Sequence, residues 1–189
     1  ATVTVKDTPA RLLGAAYGPP FGRLYAVNAD GSDFERIHTF DGPTGLLPYS
    51  DLTLGSDGFV YGTASEGGAG HGVVYKIAQD GTGFTVLHAF DGVLGSQPRA
   101  GVIEGSDGFL YGTTWKTSTS NNGVVYRVAK NGTGFNVLHA FNGTDGGKVY
   151  AGVIEGNDGF LYGNTKTGGS NGGGVLFRIA KDGTGFSVL

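Results

Sequence analysis

The sequence predicts an all-β fold, and more specifically a four-bladed β-propeller. Three observations support this prediction. A unit of about 50 residues recurs along the chain, each unit holds four short apolar runs suited to strands, and glycine-containing turns separate those runs. Four antiparallel strands per unit of this length are typical of a propeller blade.

The repeat consists of two blocks that alternate along the chain. The block AGVIEGSDGFLYG at 100–112 recurs at 151–163 with one substitution, and more loosely at 50–62. The second block, GVVYKIAQDGTGFTVLHAF, starts at Gly72, and its other copies start at Gly22, Gly123 and Gly174. These starts lie 50, 51 and 51 residues apart. A fixed period of this size favours a repeat architecture.

Turn residues divide each unit into strands. In the unit that starts at Gly72, the four apolar runs are 73–78, 84–90, 100–104 and 109–113. The first two runs are joined by Asp80-Gly81 and the last two by Asp107-Gly108. An Asp-Gly or Asn-Gly pair between apolar runs is a strong hairpin signal, because the turn needs residues that tolerate positive φ. We therefore expect two hairpins in each unit.

The ends of the chain predict how a ring would close. We expect one domain over 1–189, with full blades at 22–71, 72–122 and 123–173, and a composite blade made of 1–21 and 174–189. In that composite blade, 1–6 match a third strand and 11–15 a fourth, while 174–189 match the first two. Closure of this kind removes open sheet edges. The alternatives are an eight-bladed ring of two copies and a piece of a longer array.

The two blocks resemble a known family. The pattern G-V-x-Y/F-x-I-x-x-D-G-T-G-F-x-V-L-H-x-F, followed by A-G-V-I-x-G-S-D-G-F-L-Y-G, is similar to the GloVer, or Gloeo-Verruco, tandem repeat. The resemblance covers nearly the whole chain. It implies a propeller-like repeat protein of the kind found in secreted or anchored bacterial proteins, and hence an extracytoplasmic location. It implies no particular activity.

Composition excludes several classes of function. The net charge is −3 and no basic cluster is present, which argues against nucleic-acid binding. No apolar run approaches the roughly 18 residues of a membrane span. Cysteine is absent, so the fold has no disulfides. The glycines form no phosphate-binding motif, and the cluster around Asp30 matches no complete calcium loop, so we expect neither a cofactor nor a metal.

Side chains that recur in every unit are predicted to be structural. A histidine occupies the same place in three units, at His38, His88 and His139. Catalysis needs one tuned constellation rather than a ring of equal copies, so these histidines are expected to support neighbouring strands. A tyrosine recurs at Tyr61, Tyr111 and Tyr162, where its hydroxyl can reach a partner. A phenylalanine follows each first hairpin and is expected to pack between blades, at Phe34, Phe84, Phe135 and Phe186.

Loop length predicts where a binding site lies. In a meander, alternate connections share one side of the sheet; here one side has only tight turns, and the other has long connections that differ between units. Variable loops on a rigid scaffold commonly carry binding residues. The only tryptophan lies in such a loop, among polar residues. The candidate ligand-binding residues are Tyr17, Tyr49, Glu66, His71, Arg99, Trp115, Lys148, Tyr150 and Lys166.

These residues favour a binding module, and their aromatic rings and polar neighbours suit carbohydrate. The partner would be a small molecule or glycan at the loop-rich face, with the protein a monomer or homodimer. A second hypothesis is a cofactor-independent lyase or isomerase, in which Arg99 holds a carboxylate and a tyrosine or lysine moves a proton. A pocket that unites Arg99 with two of the tyrosines would favour this enzyme. A third hypothesis is a structural or designed repeat scaffold.

Overall fold

The computed structural model describes residues 11–18 and 21–189, which form β-strands joined by turns and loops. The strands form four antiparallel sheets. The first sheet contains β1 (Arg11–Ala16), β2 (Arg23–Asn28) and β3 (Glu35–Thr39). The second contains β4 (Thr53–Leu54), β5 (Val60–Ala64), β6 (Val73–Ile77) and β7 (Thr85–Ala89). The third contains β8 (Ile103–Glu104), β9 (Phe109–Thr113), β10 (Val124–Ala129) and β11 (Asn136–Ala140). The fourth contains β12 (Ile154–Glu155), β13 (Leu161–Asn164), β14 (Leu176–Ile179) and β15 (Ser187–Val188). Among the described residues, no helix has the length and apolar character of a membrane span.

Each sheet is a meander in which consecutive strands pair. The middle strands are apolar on both faces because each inner sheet lies between two others. In β6, for example, Val73, Val74 and Tyr75 are all fully buried. Their side chains point alternately to the two faces, so burial of all three requires a neighbour on each side. The continuous apolar run in the sequence therefore reflects a sheet that has a neighbouring sheet on each of its two faces.

The predicted blade boundaries are wrong in phase. Each four-stranded sheet takes the third and fourth strands of one repeat unit and the first and second strands of the next, and the described strands of the first sheet are a fourth strand followed by a first and a second. The blades 22–71, 72–122 and 123–173 are thus not sheets. The composite blade of 1–21 and 174–189 is not formed by the described strands either, because β1 pairs with β2 and β15 pairs with β14. The predicted strand at 1–6 lies outside the described residues.

The physical reason for the wrong phase lies in the two kinds of long connection. The connection over 65–72 returns to a neighbouring strand of the same sheet, whereas the connection over 90–102 crosses to the next sheet. In the crossing connection, Pro98 lies against Gly72, where a Cβ on the glycine would overlap the proline ring. The period of a repeat can be read from sequence, but which long connection stays within a sheet depends on such tertiary contacts.

The core consists of three apolar clusters, and each cluster joins two consecutive sheets. A close approach occurs where Tyr75 crosses Gly62 of its own sheet, since a Cβ on that glycine would overlap the tyrosine. Within the described part of the chain, no cluster joins the first and fourth sheets. Their outward faces instead carry Phe34, 67% exposed, and Leu176, 63% exposed. The predicted closure of a ring within one chain is therefore not observed among these residues.

Within each Asp-Gly or Asn-Gly pair only the glycine is left-handed, and in the first turn of each unit a second left-handed residue follows two positions later, at Asp33, Gly83, Gly134 and Gly185. At Asp80-Gly81 only the glycine takes a positive φ, of 85°. The Asp80 carboxylate accepts hydrogen bonds from the N–H and hydroxyl of Thr82, at 2.9 and 2.7 Å. The N–H of Ala78 donates to the Thr82 carbonyl and closes the turn. The carboxylate of Asp30 accepts the same pair of hydrogen bonds from Ser32, which accounts for that acidic cluster as a turn.

Most of the recurrent side chains are structural, as predicted. The Tyr61 hydroxyl donates to Asp57 at 2.7 Å, and the same bond occurs at Tyr111 and Tyr162. Three of the four recurrent phenylalanines pack between sheets, where each stacks on a histidine of the preceding sheet, at Phe84, Phe135 and Phe186. The prediction is wrong for Phe34, which is exposed because no described sheet lies on that side of the first one.

Candidate functional site

A groove of about 590 Å³ lies where the innermost segments of consecutive sheets meet. We call it the central groove. Its lining comes from three equivalent segments of the repeat, 49–53, 99–103 and 150–154. A volume of this size is within the range of small-molecule sites. Three of the predicted site residues line it, at Tyr49, Arg99 and Tyr150.

A left-handed backbone residue precedes each lining segment. Gln97 has a φ of 56° and lies two positions before Arg99. This conformation costs a non-glycine residue about 1–2 kcal/mol, so surrounding contacts must hold it. The Gln97 N–H donates to the His71 carbonyl at 2.8 Å, and the Gln97 carbonyl accepts from the Trp115 N–H at 3.1 Å. The equivalent left-handed residues are Leu47 and Lys148.

Hydrogen bonds between sheets fix the walls of the central groove. Thr63 Oγ1 donates to the carbonyl of Ala100 at 2.9 Å, and Thr113 Oγ1 donates to the carbonyl of Ala151 at 2.9 Å. Each accepting residue directly follows a lining side chain of the groove. The central strands of one sheet therefore determine where the lining residues of the next sheet lie.

Arginine and aromatic side chains form a continuous stack at the loop end of the groove. The Arg99 guanidinium carbon lies 4.0 Å from the Trp115 ring centroid and 5.2 Å from the Tyr150 ring centroid. The two rings are 5.8 Å apart. Lys116 Nζ lies 5.4 Å from the Trp115 ring, and Lys166 Nζ lies 5.0 Å from the Tyr150 ring. The stack concentrates positive charge on aromatic faces, which stabilises cations by cation–π attraction.

A second aromatic pair lies on the other side of the groove entrance. The rings of Tyr17 and Tyr49 are 5.2 Å apart and tilted by 46°. Both side chains are exposed, and Tyr49 alone of the two lines the groove.

The amide oxygen of Gln97 lies 3.4 Å from Arg99 Nη2, so it holds the guanidinium only weakly. The entrance thus offers exposed rings and a planar cation.

The other predicted residues lie outside the groove lining. Trp115 contacts Arg99 and Tyr150, and Lys166 contacts Tyr150. Lys148 contributes its left-handed backbone. His71 Nδ1 lies 3.1 Å from the Ser96 hydroxyl, and its ring packs on Gly92. Glu66 pairs through its backbone N–H and carbonyl with Leu46. In these positions His71 and Glu66 support loops rather than face the groove.

Sequence reasoning missed three polar residues of the groove lining, Ser50, Asp51 and Thr53. The hydroxyl of Ser50 and the backbone of Thr63 are hydrogen-bonded at 3.2 Å, and the hydroxyl of Thr53 donates to the Val102 carbonyl. These residues fall in the loosest copy of the repeated block, SDLTLG, where they replace apolar or small residues of the other copies. That departure from the repeat is the signal that could have found them.

A second cavity continues from the groove toward the tight turns and shares Thr53 and Ile103 with it. Its acidic side chains are used for structure. The Glu155 carboxylate accepts hydrogen bonds from Lys181 Nζ and from the Ser106 hydroxyl of the preceding sheet, each at 2.7 Å. The Lys181 contact, followed by the Ser106 contacts, lowers the pKa of Glu155 to about 2. In the described chain, no three acidic or imidazole side chains converge as a metal site would require.

The sequence over residues 13–189 matches the family model described as the Gloeobacter/Verrucomicrobia repeat. This match covers almost every described residue and agrees with the resemblance seen in the repeated blocks. No curated protein sequence matches the chain.

Solved structures with a similar fold include nidogen in a nidogen/laminin complex, TolB from Acinetobacter baumannii, and an oligogalacturonate lyase in complex with manganese. The TM-scores are 0.63, 0.62 and 0.61, with sequence identities of 13%, 12% and 10%. The matches cover 94%, 95% and 94% of this chain, but only 60%, 40% and 49% of the solved chains. At this identity the similarity establishes the fold, a β-propeller whose blades are the four sheets.

Proposed function

Because this chain belongs to the Gloeobacter/Verrucomicrobia repeat family, we propose that it is a binding module whose central groove takes a carboxylate-bearing carbohydrate. The observation that carries the proposal is the position of Arg99, whose guanidinium lies over the rings of both Trp115 and Tyr150 at the loop end of the groove. A guanidinium presents a planar set of donors that matches a carboxylate.

The surrounding groups suit the rest of a sugar. Tyr49 and Tyr150 are 55% and 38% exposed, so their rings are accessible to the apolar face of a pyranose. Ser50 and Asp51 add polar groups to the groove lining. The stacked rings hold Arg99 before any ligand arrives, which reduces the entropy lost on binding.

One of the similar folds gives independent support for the ligand class. That protein is an oligogalacturonate lyase, and oligogalacturonate is a polymer of sugar acids. The family resemblance also supports an extracytoplasmic location for this chain. Fractionation of cells that express the natural gene tests the location, and recovery in the cytosol alone would contradict it.

Titration calorimetry with oligogalacturonide and with its methyl ester tests the ligand. The ester keeps the sugar and removes the charge, so we expect binding of the acid and little binding of the ester. Arg99→Ala should weaken binding of the acid about tenfold or more, because a charge-assisted hydrogen bond contributes about 1.5–3 kcal/mol. Arg36→Ala removes the same charge from an exposed strand outside the groove and serves as the control. Absence of affinity for both sugars, or equal affinity of the Arg99 and Arg36 variants, would refute the proposal.

A second candidate is a cofactor-independent lyase or isomerase. The observation that favours it is that the central groove unites Arg99 with Tyr49 and Tyr150. In such a lyase Arg99 would hold the substrate carboxylate while a tyrosine removes the proton from the carbon beside it; the glycosidic C–O bond on the adjacent carbon breaks, a C=C bond forms, and the leaving oxygen takes up a proton. Prolonged incubation with oligogalacturonide, followed by ultraviolet detection of an unsaturated product, distinguishes this enzyme from a binding module. Unchanged ligand after incubation would remove the enzyme hypothesis and leave the binding module.

A further inference from the structure

The two end sheets each expose one face that is buried in the inner sheets. Wherever two consecutive sheets pack, the earlier sheet presents what we call its downstream face and the later sheet its upstream face. Such packing occurs three times among the described residues. Within residues 11–18 and 21–189, nothing covers the upstream face of the first sheet or the downstream face of the fourth sheet.

The exposed upstream face of the first sheet is already arranged for a partner. Tyr25 and Phe34 stack with centroids 5.1 Å apart and planes 17° from parallel. The equivalent pair in the second sheet, Tyr75 and Phe84, has values of 5.4 Å and 25°, and there the preceding sheet covers both rings. A cavity of about 230 Å³ lies beside Phe34. The aromatic pair therefore forms in the first sheet without the neighbour that buries it elsewhere.

The exposed downstream face of the fourth sheet carries apolar residues whose equivalents are buried in the third sheet. Leu176 is 63% exposed, whereas Val125, its equivalent in the third sheet, is fully buried against the fourth. Leu189 is 66% exposed, whereas its equivalent Leu138 is 8% exposed. An apolar cavity of about 360 Å³ lies between Leu176 and Leu189. A contiguous apolar surface of this kind usually marks an interface.

The two end faces also carry the repeat equivalents of a donor and an acceptor that are hydrogen-bonded between the third and fourth sheets. Arg127 of the third sheet donates from Nη1 to the carbonyl of Lys181 in the fourth, at 3.2 Å. Arg178 is the residue equivalent to Arg127 on the exposed face, and it covers Phe160 much as Arg127 covers Phe109, at 5.1 and 4.9 Å. The carbonyl equivalent to that of Lys181 belongs to Ala29 in the first sheet.

We propose that the downstream face of the fourth sheet binds the upstream face of the first sheet in a second copy of this chain. The contact continues the apolar part of an interface that the fold already builds three times. Leu176 and Leu189 are equivalent to Leu24 and Ile37 of the first sheet, which pack in one cluster with Tyr75 and Phe84 of the second. In the proposed contact they cover Tyr25 and Phe34. It is heterologous, since two different surfaces meet. A head-to-tail contact of this kind produces a ring when the rotation closes and a longer assembly when it does not.

Sedimentation velocity and light scattering over a range of protein concentrations test the proposal. The wild-type chain should associate as its concentration rises. Phe34→Glu blocks the upstream face and Leu176→Glu blocks the downstream face, so each variant alone should remain monomeric. Val93→Glu changes an equally exposed apolar residue in a loop of neither face and should associate like the wild type.

Mixing the two blocked variants gives the sharper result. The Phe34→Glu chain keeps an intact downstream face and the Leu176→Glu chain an intact upstream face, so an equimolar mixture should form a one-to-one pair that grows no further. Circular dichroism and thermal unfolding confirm that both variants are folded before mixing. A wild-type chain that stays monomeric at every concentration would overturn the proposal. Association that persists in both variants, or a mixture that forms no pair, would overturn it as well.

Discussion

The imidazole of His88 lies flat on the ring of Phe135, with centroids 3.6 Å apart and planes 3° from parallel. The two residues belong to consecutive sheets, so this stack is a contact between blades. The same geometry recurs twice, at His38 with Phe84 and at His139 with Phe186. A histidine in each of the first three sheets thus has a packing role between blades.

Removal of the phenylalanine should cost stability only where the histidine covers it. Phe135→Ala should lower the free energy of unfolding by about 2–3 kcal/mol, because it deletes a half-buried ring and its stacking partner. Phe34→Ala changes the equivalent residue, which is exposed and stacks on no histidine, and should cost less than about 1 kcal/mol. Urea unfolding at protein concentrations low enough for a monomer measures both. Equal losses would contradict the packing described for Phe135.

The buried histidine also predicts a dependence of stability on pH. Burial lowers the pKa of His88 below its ordinary value of 6.5, and nearby Asp91 only partly opposes this effect. The unfolded chain therefore takes up the proton at a higher pH than the folded chain. The stability due to the neutral ring should be complete above pH 6.5 and should fall as the pH is lowered below that value.

A non-titrating ring isolates this effect. His88→Phe keeps an aromatic ring at the position, so the urea midpoint of this variant should fall less between pH 7 and pH 5 than that of the wild type. Part of the fall should remain, because burial lowers the pKa of His38 in the same direction. Identical pH profiles for the variant and the wild type would argue against a neutral imidazole at position 88.

Close approach of a tyrosine makes one glycine necessary and leaves its counterpart free. A Cβ on Gly112 would overlap the buried Tyr126, whereas a Cβ on Gly14, at the same repeat position, meets no atom within 4 Å. Neither glycine has a positive φ, so backbone strain does not enter the comparison. We expect Gly112→Ala to cost about 1–3 kcal/mol by overpacking, and Gly14→Ala to be nearly neutral. Thermal unfolding of both variants checks the difference, and a neutral Gly112→Ala would show that Tyr126 can move aside.

The Glu155 contact between the third and fourth sheets should matter at acid pH. Because the pKa of this carboxyl is held at about 2, against an ordinary value of 4.5, its contribution is complete above pH 4.5 and is lost as the pH falls toward 2. Glu155→Gln should flatten the stability profile in this range. Ser106→Ala removes one of the donors and should flatten it less, since Lys181 remains. An unchanged profile in the glutamine variant would exclude this role.

The sequence predicts the all-β class, the strands and the structural role of the recurrent histidines, because each depends on local pattern and on repetition. The phase of the blades is not predicted. It depends on contacts such as that of Pro98 with Gly72, which join residues of different units. The alignment of the chain ends predicts a composite blade made of 1–21 and 174–189. In the structure β1 instead pairs with β2.

The sequence predicts only part of the candidate site, because the rest depends on contacts between residues of different units. Loop variability identified Tyr49, Arg99 and Tyr150, which the fold brings to one groove. The same criterion selected His71, whose ring packs on Gly92 of a neighbouring loop. Variability alone does not distinguish a side chain that faces a groove from one that supports a loop, since that distinction depends on how consecutive sheets pack.

The most direct test of the proposed site is a map of backbone amide resonances during titration with oligogalacturonide. The signals of residues 49–53, 99–103 and 150–154 should shift together and saturate, while those of the tight turns at 80–83 and 131–134 should stay unchanged. Shifts confined to the turns, or spread evenly over the protein, would contradict a carbohydrate site in the central groove.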